Sequence, residues 1–259
     1  MAEPVAVDSR WFQPATVRSE ATARLFLFPY AGGNAAMYRE WLPLFPADIA
    51  VQGIQPPGRL DRRAEPLFTE VEPIVEAAAE AIANELDGRP YALFGHSLGA
   101  LMAYRVAVAL ADDYGDPPIL VAAAGWTPEG FNMPTEEQVN LPQDELVSWI
   151  VSLGSLPPVI YEDPDMLAVT IPPTRADLTA CARYTDDGAR LPCPVVTYTG
   201  RDDPLVAPGA VESWARRAPE FLGNSSYPGG HFFIYDAVLP IVADLTRHVR
   251  RLAALEPAN

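Results

Sequence analysis

Three residue types that together can cleave an acyl bond occur in one order along this chain of 259 residues. Ser97 lies in Gly95-His96-Ser97-Leu98-Gly99, a G-x-S-x-G pentapeptide; Asp202 and Asp203 follow Gly200; His231 follows Gly229-Gly230. A serine hydroxyl is a weak nucleophile unless a nearby histidine takes its proton, and a carboxylate behind the histidine holds the ring in the needed tautomer. Of the two aspartates, Asp203 is expected to be the acid, because Gly200 and Val206 bracket it as G-x-x-D-x-x-V. Asp202 is expected to cap the turn. His96, inside the pentapeptide, is expected to be structural and directed away from the serine. His248, at the margin of the last apolar helix stripe, is expected at the surface.

Such residues act only if the fold brings them to one edge. An apolar run over 91–94 precedes the pentapeptide and an Ala/Leu-rich stretch over 100–111 follows it. Strand, G-x-S-x-G, helix is the nucleophile elbow of an α/β-hydrolase. The strained turn lifts the Ser97 hydroxyl above the sheet, and its close approaches admit no side chain at the flanking positions. Leu98, first in the helix, offers its N–H to a developing oxyanion. Further strands are predicted over 24–28, 49–54, 119–124, 194–199 and 222–227. Asn34 is a predicted N-cap for Met37, Tyr38, Trp41 and Phe45 at helical spacing. Ile74, Val75, Ala78, Ile82 and Leu86 mark a helix stopped by Gly88, and Val238 to Leu252 mark the last one. The fold class is therefore α/β, an α/β-hydrolase fold with a mainly parallel central sheet flanked by helices. Asp203 and His231 each sit just past a predicted strand, on the elbow's edge. The loop Pro29-Tyr30-Ala31-Gly32-Gly33-Asn34 is expected to donate the second oxyanion N–H, from Ala31, with Tyr30 as the other candidate.

The alternation breaks between 127 and 192, where no strand pattern occurs. Leu146, Trp149, Ile150 and Leu153 predict one helix, Asp163-Pro164 opens a second that Pro172-Pro173 should end, and a third is expected over 174–184. The expectation is one domain, 1–259, with a helical lid inserted at approximately 127–192. Leu156, Val159, Ile160, Met166 and Leu167 are its expected cover over an acyl pocket. Residues 1–23 read as an irregular arm anchored by Trp11 and Phe12.

Composition narrows the partners. Net charge is −16, which argues against nucleic acid and anionic membranes. All 18 basic residues are arginine, and three of them, Arg59, Arg62 and Arg63, crowd one loop. That loop reads either as a solvated turn with local ion pairs or as a recognition surface. Residues 1–10 contain no apolar leader core, no run has membrane-spanning length, and a cytoplasmic location is expected. Cys181 and Cys193 form no disulfide framework or metal spacing and are expected to be structural thiols. The serine chemistry requires no metal or redox cofactor. By itself it leaves ester, amide and thioester open as substrates, and acyl transfer or a non-catalytic receptor on the same scaffold open as roles.

The chain resembles the type II thioesterases, stand-alone editing enzymes of polyketide and nonribosomal peptide synthesis. The resemblance rests on Phe28 to Gly33, Pro57-Gly58-Arg59 with Arg62, the Ser97 pentapeptide, Arg175-Ala176-Asp177, Gly200 to Asp203 and Gly229 to Phe233. Tyr30 stands where members often have His, and Arg105 where Glu is common. The resemblance implies hydrolysis of stalled or aberrant acyl groups from the phosphopantetheine arm of carrier proteins, with Ser97, Asp203 and His231 catalytic; a monomer is the default expectation. Carrier domains are typically acidic, so docking to this acidic chain would need a local patch, for which Arg59, Arg62 and Arg63 are candidates, or apolar contacts.

Overall fold

Side-chain alternation seats each strand between two helical layers. We describe a computed structural model, which covers residues 9–17 and 19–255. In strand β2 (Ala23–Phe28), Leu25 and Leu27 face one side, while Phe26 and Phe28 face the other. In β4 (Tyr91–His96), Leu93 and Phe94 divide the same way. Strands buried on both faces must be covered twice. Helices α1 (Val71–Glu85) and α2 (Leu98–Tyr114) cover one face. Helix α8 (Val238–Ala253) covers the other, with Tyr38, Trp41 and Phe45 beside it.

The remaining strands are β1 (Phe12–Gln13), β3 (Ile49–Ile54), β5 (Leu120–Ala124), β6 (Val195–Gly200) and β7 (Phe221–Tyr227). Seven strands form one sheet in the order β1-β3-β2-β4-β5-β6-β7. All pairs are parallel except β1 with β3. Parallel strands end on the same side, so the loops after β2, β4, β6 and β7 share one edge. The expected strands, α1, α2 and α8 are all present.

Several local expectations are corrected. The N-terminal arm includes strand β1, because Phe12 and Gln13 pair with Ile54 and Gly53 at the sheet edge. Residues 1–8, on which most of the reading of a missing leader rests, lie outside the described residues. The segment after Asn34 forms two 3₁₀ turns, Ala35–Tyr38 and Leu42–Leu44, instead of an α-helix, although Asn34 does cap the first, its side chain accepting from Ala36 N–H. Pro43 and Pro46 lack the amides that a continuing helix needs.

Between β5 and β6 stand α3 (Glu136–Val139), α4 (Gln143–Ser152), α5 (Pro158–Tyr161) and α6 (Pro164–Arg183). Helix α6 runs straight through Pro172-Pro173, where two shorter helices were expected. The prolines deprive the Ala168 and Val169 carbonyls of their helical partners, but both residues are exposed, so water can serve them. Leu146, Ile150 and Ile171 form a small core of their own here, joined by Leu156 and Leu167. A short α7 (Trp214–Arg217) precedes β7. Among the described residues no helix is long and apolar enough to cross a membrane.

The arginine-rich loop is not a surface patch. Arg62 is 3% exposed. Its guanidinium donates to the Gln55 carbonyl at 2.8 Å, forks onto Glu65 at 3.0 and 2.6 Å, and lies 4.3 Å above the Trp11 ring. Arg59 is likewise buried, and Arg63 is exposed. Arg62→Ala should therefore lower the unfolding free energy by about 2–3 kcal/mol, since it strips charge-assisted bonds from a buried site. Arg63→Ala should stay within about 0.5 kcal/mol. Urea denaturation of the two variants checks this.

Candidate active site

The elbow forms because two glycines let three backbones meet. A Cβ on Gly95 would lie 1.9 Å from the Gly99 carbonyl oxygen, and one on Gly99 would lie 2.2 Å from the Phe28 carbonyl oxygen. Between them Ser97 adopts φ 56° and ψ −121°, a strained conformation for a residue with a side chain. Its N–H donates to the Ala124 carbonyl at 2.8 Å, which ties the elbow to β5.

Ser97, His231 and Asp203 come together. Ser97 Oγ is 2.9 Å from His231 Nε2, and His231 Nδ1 is 2.9 Å from Asp203 Oδ2. A carboxylate can only accept from a histidine N–H, so Nδ1 carries the proton and Nε2 is free to accept from the serine. The histidine and aspartate are buried at 2% and 8% exposure. Backbone bonds hold their loops together: Arg201 N–H donates to Tyr227 O and Asp202 N–H to Gly229 O. Asp202 is exposed and outside the chain of bonds. The turn is instead capped by Asp203 itself, whose Oδ1 accepts from Leu205 N–H at 2.9 Å. One carboxylate thus closes its own loop with one oxygen and orients His231 with the other.

The remaining histidines divide. His96 is fully buried, and burial pushes its pKa well below the ordinary histidine range, with repulsion from His231 adding to this. It is therefore neutral, and its Nε2–H donates to the His231 carbonyl at 2.8 Å, supporting the base from behind. His248 is 7% exposed rather than at the surface, because the buried face of α8 extends around it.

The serine opens on a cavity of about 610 Å³, counting its mouth, whose wall includes Ala31, Leu98, Trp126, Phe131, Trp149 and Leu178. None of Leu156, Val159, Ile160, Met166 or Leu167 reaches it: Leu156 and Leu167 pack in the small insertion core, and Val159 is 71% exposed. The α4 stripe does reach it, through Trp149, Ile150 and Leu153. Ala31 and Leu98 line the cavity beside Ser97, and Leu98 begins α2, where a helix leaves its first N–H groups without acceptors. Cys181 also lines it, but burial pushes that thiol up, and Cys193 is pushed up to about 12 by the same cause. Neither offers a thiolate to compete with the serine.

The thioesterase domain profile matches residues 23–249. The chain belongs to the thioesterase domain family. Over 95% of its length it is 31% identical to the gramicidin S biosynthesis protein GrsT of Aneurinibacillus migulanus, covering 96% of that protein. RedJ, the thioesterase of the prodiginine pathway in Streptomyces coelicolor, superposes with a TM-score of 0.78 at 32% identity, covering 88% of this chain and 91% of RedJ. The type II thioesterase BorB of the borrelidin cluster gives 0.80 at 26% identity over 90% and 94%. The protein is a thioester hydrolase of the α/β-hydrolase fold.

Two contacts of this thioesterase were not legible in its sequence. The Tyr30 hydroxyl meets that of Tyr235 at 2.5 Å, and the Tyr30 ring packs on His96 and Phe232, joining the loop after β2 to the histidine loop. Arg59 pairs with Asp177 of α6. The P-G-R and R-x-D motifs were visible singly, but nothing in their spacing linked them. Because Asp203 alone reaches the histidine, Asp203→Asn should lower kcat by about 10³–10⁴, since an amide favours the wrong tautomer. Asp202→Asn should change it by less than about threefold. Steady-state hydrolysis of a small acyl thioester separates the two.

Proposed function

We propose that this thioesterase hydrolyses acyl groups from the phosphopantetheine arm of carrier proteins, clearing stalled or aberrant chains during polyketide or nonribosomal peptide synthesis. It acts as a monomer, a single domain whose helical insertion forms the acyl chamber. The reading rests chiefly on the Ser97–His231–Asp203 relay opening on an apolar cavity, in a chain that spans nearly all of a relative named for gramicidin S biosynthesis.

In this mechanism Ser97 Oγ attacks the acyl carbon as His231 Nε2 takes its proton. The Leu98 and Ala31 amides hold the oxyanion, each contributing on the order of 10²–10³ in rate. Collapse breaks the C–S bond, and the departing sulfur receives the proton from His231. A thiol with a pKa near 8.5 leaves far more readily than an alcohol. Water then gives a proton to His231 and its hydroxyl oxygen to the acyl carbon, releasing the acid and restoring Ser97. The acidic enzyme meets an acidic carrier, and with Arg59 and Arg62 taken into the fold, docking uses other groups, among them apolar contacts.

Single-turnover release of acetyl, propionyl and longer acyl groups from a loaded carrier protein tests the reading, with small-thiol and oxygen-ester forms alongside. Fast hydrolysis that favours the carrier-bound thioesters and vanishes in Ser97→Ala is expected. Preference for the oxygen ester, or transfer of the acyl group without free acid, would refute it.

A further inference from the structure

The insertion does more than roof the acyl cavity. The α6 face that lines the cavity with Thr174, Leu178 and Cys181 also carries Asp177. Asp177 is 6% exposed, and its Oδ2 accepts the Gly32 N–H at 2.7 Å as well as a hydrogen bond from Arg59 Nη2. Arg59 is held in turn by its own loop: Gln55 Nε2 donates to the Arg59 carbonyl, and Gln55 Oε1 accepts from Ala35 N–H. Thr174 fits so closely that a Cβ on Gly32 would lie 2.0 Å from its Oγ1, and Gly32 has φ +77°. Burial raises the Asp177 carboxyl above the ordinary carboxylate range, and the Arg59 guanidinium and the Gly32 amide offset only part of that rise. A buried ion pair is weak evidence for added stability, because desolvation offsets most of its attraction. This pair does something more specific.

Two bonds set the planes around Ala31. Gly33 N–H donates to the Tyr30 carbonyl at 2.8 Å, fixing the Tyr30–Ala31 peptide, and Asp177 fixes the Ala31–Gly32 peptide. In a trans peptide the carbonyl and the N–H point opposite ways, so holding the Tyr30 oxygen aims the Ala31 N–H. We infer that Asp177, held by Arg59, is a positioning residue: by pinning the Ala31–Gly32 peptide it holds the turn in which the Gly33–Tyr30 bond aims the Ala31 N–H at the oxyanion, and so makes the helical insertion part of the oxyanion hole. The inference rests on the roles of Ser97 and Ala31 proposed above.

The test compares two double variants that both lack the ion pair. Arg59→Gln with Asp177→Asn keeps an oxygen for the Gly32 N–H; Arg59→Gln with Asp177→Leu removes it while keeping the same branched skeleton of heavy atoms. Each is assayed on a small acyl thioester well below its melting temperature, and each is titrated with an acyl trifluoromethyl ketone, whose serine adduct places an oxyanion in the hole. The leucine variant should show a kcat about 100-fold below the asparagine variant, a KM within about threefold, and ketone affinity reduced by the same factor as kcat. Equal kcat and equal ketone affinity in the two, with Ser97→Ala inactive, would overturn the inference and leave the serine mechanism standing. An active Ser97→Ala would bring down the mechanism itself. If the leucine variant does not fold, Asp177→Ala in the same Arg59→Gln background carries the comparison with the same criteria.

Discussion

Everything at this site depends on how closely three backbones approach at the elbow. The end of β4, the first turn of α2 and the end of β2 meet within distances that leave no room for a Cβ at Gly95 or Gly99. That contact holds Ser97 in a backbone conformation costing on the order of 1–3 kcal/mol, which only a surrounding structure that over-determines the turn can sustain. The support is a doubly covered parallel sheet with fully buried Leu93 and Phe94 directly before the turn. The strain directs the hydroxyl away from the sheet, and the same close approach brings the loop after β2 alongside the start of α2. Ser97 and the proposed oxyanion donors are thus positioned by one packing event.

The other loops are fastened to that edge by backbone hydrogen bonds together with ring side chains. The Asp203 loop donates two amide hydrogen bonds to the histidine loop, His96 holds the His231 carbonyl, and Tyr30 reaches Tyr235. Phe131, early in the insertion, bridges to Val206 beyond Asp203, so even the cavity wall is registered against the Asp203 loop. Such fixing keeps catalytic distances near 2.9 Å without relying on flexible groups.

Arginine usage follows the same logic. In a chain of net charge −16, an arginine-rich loop invites a reading as a docking patch. Arg59 and Arg62 instead act as internal struts, one meeting Asp177 from the insertion, the other bonded to a carbonyl and a carboxylate and stacked on the Trp11 ring. A planar guanidinium with five donors suits such multi-partner burial better than an ammonium would. Composition counts charges, but it cannot tell an exposed cation from a paired one.

Much of the architecture was legible in the sequence because local physics carries it. Short runs bounded by turn residues marked six strands, the strand–turn–helix setting marked Ser97, and chain order with a position just past a strand marked Asp203 and His231. These signals arise from neighbours within a few residues. Some misreadings turn on a local balance, and others on partners distant in sequence. Pro172-Pro173 did not end α6, because exposed carbonyls cost little when water replaces the lost bonds. Phe12 became a strand residue only because Ile54 offered an edge. The cavity wall drew on Trp126, Trp149 and Leu178 instead of the most apolar insertion segment, and Asp177 found Gly32 145 positions away. The sequence by itself determined which groups stand where serine chemistry could be done and the layers that hold them, since strand, helix and turn signals are local. Only the tertiary structure decided which polar groups are buried against one another, because that depends on which surfaces meet when the layers close.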